Sequence, residues 1–305
     1  MIVFDELNLP KLWAELSAGR VQETVAATLS EDGADNDLTT LALCERNGIR
    51  SARVVARESA VCAGLGLLDG FRASAHNLSG SVESGVADGM HVAAGTTLMH
   101  LHGPLSSILP IERALLNLLG IAMASSTLTA RYVEAVRETR AQICDTRKTI
   151  PGLRWLQKYA VACGGGRLHR MALDDAILVK DNHVAGLAPS EYAQRICECV
   201  ERVRAAETPL RFVCAEADTL EQFEALLTLP VGTLDIVLLD NFSVELLLHA
   251  VKLRTDRAPT LLLEASGGVR LETVAAIART GVDRISVGAL THSAGSIDVA
   301  LDMDD

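Results

Sequence analysis

From residue 141 onward, short apolar runs alternate with longer stretches whose apolar positions recur at helical spacing. The runs fall at residues 141–144, 176–179, 211–215, 235–239, 260–263 and 284–287, and the helical stretches include 189–204, 220–227, 244–253 and 271–279. Strands alternating with helices predict a parallel sheet, and this many units in this length suggest a barrel or near-barrel. The first part of the chain has another texture. Leu12, Leu16 and Val21 keep helical spacing within residues 1–34, residues 32–40 read as a polar turn with a helix cap, and 51–57, 61–64, 89–95 and 97–101 read as short strands of a small helix-covered sheet. Residues 104–137 predict a long helix, with Leu109-Pro110 as its opening.

Each apolar run of the second part ends in reactive or charged residues. In order these are Thr146-Arg147-Lys148, Lys180-Asp181-Asn182-His183, Glu216, Asp240-Asn241, Glu264-Ala265-Ser266-Gly267-Gly268 and Gly288-Ala289-Leu290-Thr291. Sites of parallel α/β sheets form at the carboxyl ends of successive strands, so these groups are expected to converge in one mouth. A single Lys or Arg is ordinarily a solvated surface charge. Here Arg147, Lys148, His169, Arg170 and Lys180 gather around the triple glycine 164–166, which favours an anion-binding site. Glu216 and Asp240, with Glu264 beside them, form an acidic group able to hold Mg²⁺ or stabilise a cationic sugar carbon. Glycines after the last strands allow backbone amides to approach a phosphate.

Composition sharpens that reading. The 305 residues carry a formal charge of −11 and 3 % aromatics, so neither the electrostatic nor the stacking contribution to nucleic-acid binding is present, and the local cations point to a small anion. Seven cysteines, an odd number without a Cys-x-x-Cys pair, suit reduced thiols better than disulfides or zinc. No apolar run is read as a membrane span, and Asp5, Glu6 and Glu15 do not suit a signal peptide, so the expected location is the cytoplasm. There is no nucleophile elbow and no Walker or Rossmann glycine pattern.

Many ordered motifs carry a resemblance: Asp145-Thr146-Arg147-Lys148-Thr149-x-Pro151-Gly152, Lys158-Tyr159-Ala160-Val161, Gly164-Gly165-Gly166 with His169-Arg170, Lys180-Asp181-Asn182-His183, Leu239-Asp240-Asn241-Phe242, Glu264-Ala265-Ser266-Gly267-Gly268 and Val287-Gly288-Ala289-Leu290-Thr291-His292, with Asp37-Leu38-Thr39-Thr40 and Glu112-Arg113-x-x-x-Asn117 earlier. Over nearly its whole length the chain resembles the quinolinate phosphoribosyltransferase family. The resemblance implies an N-terminal α/β sandwich (1–124, with the tail 292–305 returning to it) and an open seven-stranded α/β barrel (125–291). It implies phosphoribosyl transfer from phosphoribosyl pyrophosphate to quinolinate with decarboxylation, Mg²⁺ as cofactor, and a homodimer in which Arg113 completes the neighbouring site. By motif, Arg147, His169, Arg170 and Lys180 would bind the pyridine dicarboxylate, with Thr146 beside them. Lys148, Glu216 and Asp240 would face phosphoribosyl pyrophosphate and its metal, while Ser266, Gly267, Gly268, Ala289, Leu290 and Thr291 would hold the 5′-phosphate. Lys148, Lys180, Glu216 and Asp240 are the expected catalytic groups.

The chain departs from the family's usual residues at Leu168, at Cys214 and across Met123–Thr127. A nicotinate phosphoribosyltransferase, a molybdenum-transport-associated relative and a non-catalytic anion-binding protein are the alternative expectations.

Overall fold

The computed structural model describes residues 8–44, 48–206 and 209–304, so the helical pattern expected for residues 1–7 lies outside the described residues. The chain divides into two compact units, one holding residues 8–130, 148–166 and 290–304, the other residues 131–147 and 167–289.

The first unit opens with α1 (Leu9–Ser17), started by the Asn8 side chain accepting from the Lys11 amide, and α2 (Arg20–Asp32), stopped by Gly33 in the left-handed conformation. The polar stretch that follows is a cap. Asp37 accepts from the amides of Thr39 and Thr40 and starts the short helix α3 (Leu38–Leu43). Next come β1 (Ile49–Ala56), β2 (Ala60–Val61), α4 (Leu67–Ser74), β3 (Ser79–Val82), β4 (His91–Val92) and β5 (Thr97–Pro104). The sequence pattern missed α4 and β3. Gly70 interrupts the helical signal of α4 because a Cβ there would lie 2.5 Å from Val21, and Ser-Gly-Ser-Val lacks apolar alternation.

The helix α5 (Leu105–Val136) corrects the expected opening. It begins before Leu109-Pro110, so Pro110 lies inside it. Burial of Ile108 at 0 % exposure outweighs the hydrogen bond that the proline cannot donate. By length and hydropathy the helix is also sufficient to cross a membrane, but 67 % of its apolar window is buried inside the fold, as in a core helix.

In the second unit β6 (Gln142–Cys144) is followed, after α6 (Arg154–Cys163) of the first unit, by β7 (Ile177–Val179), α7 (Pro189–Ala205), β8 (Val213–Ala217), α8 (Leu220–Leu226), β9 (Ile236–Asp240), α9 (Val244–Arg257), β10 (Leu262–Ser266), α10 (Leu271–Arg279) and β11 (Arg284–Ser286); α11 (Ala289–His292) and β12 (Val299–Met303) end the chain. The six strands pair in the order β6-β11-β10-β9-β8-β7, all parallel. Continuous apolar runs suit strands covered on both faces, and β8 is buried at every position. Phe212, Cys214, Ile236 and Leu238 form one core cluster with Ala176. Among the described residues, only a parallel bridge between Cys144 and Arg167 stands where a further strand would pair. Three strands run later than expected. β8 contains Glu216, and β9 and β10 end on Asp240 and Ser266, which carries these side chains on rigid backbone.

Back in the first unit, the four-stranded sheet has the order β12-β1-β5-β3, antiparallel throughout, so β12 lies against β1. His100 and His102 share one face of β5, where His100 meets Glu83 at 2.6 Å and His102 meets the Ser51 hydroxyl at 3.0 Å.

Candidate active site

The cationic side of the site is assembled by backbone pairing. The amide of Arg167 donates to Ile143 O and that of Asp145 to Arg167 O, which lays residues 167–170 alongside the end of β6. Buried Asp145 then accepts from the His169 amide at 2.7 Å, and the His169 ring nitrogen Nδ1 accepts from the Arg170 amide at 2.8 Å. Arg170 is thereby brought beside Arg147. Burial first, and the nearby Arg147 charge second, pull the Arg170 guanidinium below its ordinary pKa. The Arg147 Nε is buried without a hydrogen-bond partner among the described residues. Two guanidinium groups so placed, one with an unmet donor, need an anion.

The acidic side faces Lys180, which follows β7. Its Nζ lies 2.9 Å from Glu216 Oε2, and burial raises the Glu216 carboxyl although Lys180 opposes that shift. Asp218 is raised as well, by burial and then by Asp240 and Asp181. Ligand oxygens of Glu216, Asp218 and Asp240 all lie within 4.8 Å of one another, a donor set of hard oxygens suited to a divalent cation. Asp218 was missed in the sequence, although it follows Glu216 by two residues where the chain leaves β8.

Between the acids and the glycines stands Asn241, with φ of 55°, whose Nδ2 donates to Asp240 Oδ2 at 2.6 Å and whose amide donates to Ser266 O. Ser266, Gly267 and Gly268 follow, both glycines at positive φ. Helices α8 and α9 begin shortly beyond the acids, capped by Thr219 and Ser243.

Thr146, Arg147, His169, Arg170, Lys180, Glu216, Asp240, Ser266, Gly267 and Gly268 all fall within one unit, which also contains Ala289. Lys148, Leu290, Thr291 and Arg113 belong to the other unit. There the Thr291 hydroxyl donates to the Lys148 carbonyl, the Leu290 side chain is fully buried, and Arg113 is exposed with its nearest acid, Glu112, at 3.9 Å. Two readings are corrected. Glu264 does not join the acidic group but pairs with Arg284 in the interior. The triple glycine serves packing: a Cβ at Gly164 would lie 2.4 Å from Ser126 O, and one at Gly166 2.6 Å from Val161.

Family profiles described as the N-terminal and C-terminal domains of quinolinate phosphoribosyl transferase match residues 37–123 and 125–302. The chain is 40 % identical to a nicotinate-nucleotide pyrophosphorylase (carboxylating) of Mycobacterium leprae (strain TN), over 95 % of this chain and 98 % of that one. It is 34 % identical to a probable enzyme of the same name from Bacillus subtilis (strain 168), over 90 % of both chains. A solved nicotinate-nucleotide pyrophosphorylase from Francisella tularensis superposes with a TM-score of 0.81 at 32 % identity, covering 94 % of this chain and 96 % of that one.

Proposed function

We propose, from the premise that this chain belongs to the quinolinate phosphoribosyltransferase family, a division of labour among its own residues for the family's reaction. The chain is a nicotinate-nucleotide pyrophosphorylase of the carboxylating type, a phosphoribosyltransferase of NAD biosynthesis. Its substrates are quinolinate and phosphoribosyl pyrophosphate, and its products are nicotinate mononucleotide, pyrophosphate and CO₂.

One observation carries the substrate assignment: the neighbouring guanidinium groups of Arg147 and Arg170, the former with a buried donor that has no partner among the described residues. Arg147, Arg170 and Lys180 hold the two carboxylates of the pyridine, with Thr146 and His169 in the same wall. Ser266, Gly267, Gly268 and the backbone of Ala289, Leu290 and Thr291 take the 5′-phosphate, and Lys148 takes the pyrophosphate. Glu216, Asp240 and also Asp218 hold Mg²⁺, which compensates the charge of the pyrophosphate group when bound. This assignment is supported by the all-oxygen donor set and by the raised carboxyls of Glu216 and Asp218, which a divalent cation would relieve.

The chemistry follows from this charge layout. The bond from ribose C1 to the pyrophosphate oxygen breaks, and positive charge develops on C1 close to the carboxylates. The lone pair of the quinolinate nitrogen forms the new C–N bond. Its ring is then a pyridinium, an electron sink that accepts the pair left when the adjacent C–COO⁻ bond breaks and CO₂ departs, and a proton completes the ring carbon. Arg147 and Arg170 serve by orientation, holding the nitrogen in line with C1.

We assign the active assembly to a homodimer, supported by the exposed Arg113 guanidinium, which has only Glu112 near it among the described acids. A cytoplasmic location agrees with seven free cysteines. The decisive experiment is incubation of purified protein with quinolinate, phosphoribosyl pyrophosphate and Mg²⁺. Release of CO₂ with nicotinate mononucleotide is expected, and turnover of nicotinate without CO₂ would overturn the reading.

A further inference from the structure

Strand β9 ends on Asp240 and strand β10 on Ser266, and the two residues are register partners on neighbouring parallel strands. Around these strand ends lie the groups given above to opposite ends of one substrate. Glu216, Asp218 and Asp240 take the metal-bound pyrophosphate, and Ser266-Gly267-Gly268 takes the 5′-phosphate. Asn241 stands between them and has had no part in any step. Its amide donates to Ser266 O at 2.9 Å, which adds one rung to the strand pairing before the two chains part.

At that rung the backbone of Asn241 turns into the left-handed region, with φ of 55°. The residue is exposed, so burial does not impose this conformation. A glycine would make the same turn at no steric cost, and asparagine is among the few other residues that tolerate it. What asparagine adds is a side chain with two unlike ends, and both are engaged. A carboxylate only accepts hydrogen bonds, so the nitrogen is the end that faces Asp240, and Nδ2 donates to Asp240 Oδ2 at 2.6 Å. The amide oxygen lies against Gly267, where a Cβ would fall 2.1 Å from Oδ1 and 2.6 Å from Cγ. With φ of +89° and no room for a side chain, the loop passes the amide only as glycine.

We infer that Asn241 is a positioning residue for phosphoribosyl pyrophosphate, one planar amide that fixes the Asp240 carboxylate with its nitrogen, seats the Gly267 turn with its oxygen, and so sets the spacing between the acids and the 5′-phosphate loop. The inference rests on the substrate reading given above and assigns a part within it. A ligand that must reach both places at once depends on that spacing, and a ligand that reaches one of them depends on it less.

Calorimetry on the full-length protein tests this without turnover, with phosphoribosyl pyrophosphate titrated in the presence of Mg²⁺ and the absence of quinolinate. Asn241→Gly keeps the left-handed turn and removes both side-chain contacts. It is expected to weaken phosphoribosyl pyrophosphate binding by roughly 10- to 100-fold, the scale of a small misplacement of substrate-orienting groups, and to leave quinolinate affinity unchanged. Ribose 5-phosphate, which lacks the pyrophosphate, meets the glycine loop alone and is expected to lose several-fold less. Asn241→Ala removes the same contacts but strains the turn, so it separates side chain from backbone. If the turn alone mattered, Asn241→Gly would bind as the unaltered protein does and Asn241→Ala would not. Steady-state KM values for the two substrates are expected to repeat the split. Unaltered phosphoribosyl pyrophosphate affinity in Asn241→Gly, equal losses for the two phosphate ligands, or a matching loss of quinolinate affinity would overturn the inference. Failure of the unaltered protein to release CO₂ from quinolinate removes the functional reading itself and is seen before any variant is made.

Discussion

A Cβ on Gly267 would lie 2.1 Å from Asn241 Oδ1, closer than any side chain can approach, and Gly267 itself has φ of +89°. Asn241 is held at φ of 55° and donates to Asp240, so the glycine loop and the acidic group share one contact. Backbone in this region costs a residue other than glycine about 1–3 kcal/mol, before the overlap is counted. Gly267→Ala is therefore expected to abolish most turnover, with KM for phosphoribosyl pyrophosphate raised and KM for quinolinate little changed. Equal changes in both KM values would reject this division.

Arg147→Ala removes a charged donor from the dicarboxylate. Quinolinate affinity should fall by about 1.5–3 kcal/mol, roughly ten- to over a hundredfold in Kd, measurable by calorimetry without turnover. Unchanged binding would remove Arg147 from the site.

Asp218 shares its cluster with Glu216 and Asp240. Asp218→Asn is expected to raise the Mg²⁺ concentration needed for half-maximal activity while leaving quinolinate KM in place. A titration of rate against Mg²⁺ at saturating substrates decides, and identical curves would leave the metal to the other two acids.

Arg113 and Lys180 belong to different units. If each site of a homodimer takes Arg113 from the neighbouring subunit, mixing inactive Arg113→Ala with inactive Lys180→Ala protein restores partial activity through hybrid dimers. Persistent inactivity with subunit exchange verified by mass spectrometry would count against a shared site.

Asp88 supplies a test of pH dependence. Burial raises its carboxyl above 3.8, against hydrogen bonds from Tyr159, Leu65 and Gly64. A folded pKa above the unfolded value means that the native state binds the extra proton, so its contribution is greatest below about 3.8 and is lost as pH rises through the folded pKa. The stability advantage of the unaltered chain over Asp88→Asn should therefore grow on acidification, and urea unfolding at two pH values measures it. A difference independent of pH would show that Asp88 does not titrate abnormally.

Much of this was legible before any coordinates. The alternation after residue 141 gave the parallel sheet because strands covered on both faces need uninterrupted apolar runs, and Lys180, Glu216 and Asp240 stood out because their charges break such runs. What the sequence hid depends on contacts between distant residues. Gly164 and Gly166 stood out for the cations around them, yet their own lack of a side chain answers to contacts with Ser126, Thr129 and Val161. Glu264 read as a mouth acid because its partner, Arg284, lies on a neighbouring strand. Pro110 looked like a helix start because local rules favour it there, and the burial of Ile108 in the preceding turn decided otherwise.

The strand Val299–Met303 closes one edge of a layer whose other members come from the first third of the chain. During synthesis on a ribosome that layer stays half built, with β1 open along one side, until residues 299–303 have been made and have cleared the exit tunnel. A chain cut before residue 299 would leave β1 with a bare strand edge ready to pair with another chain.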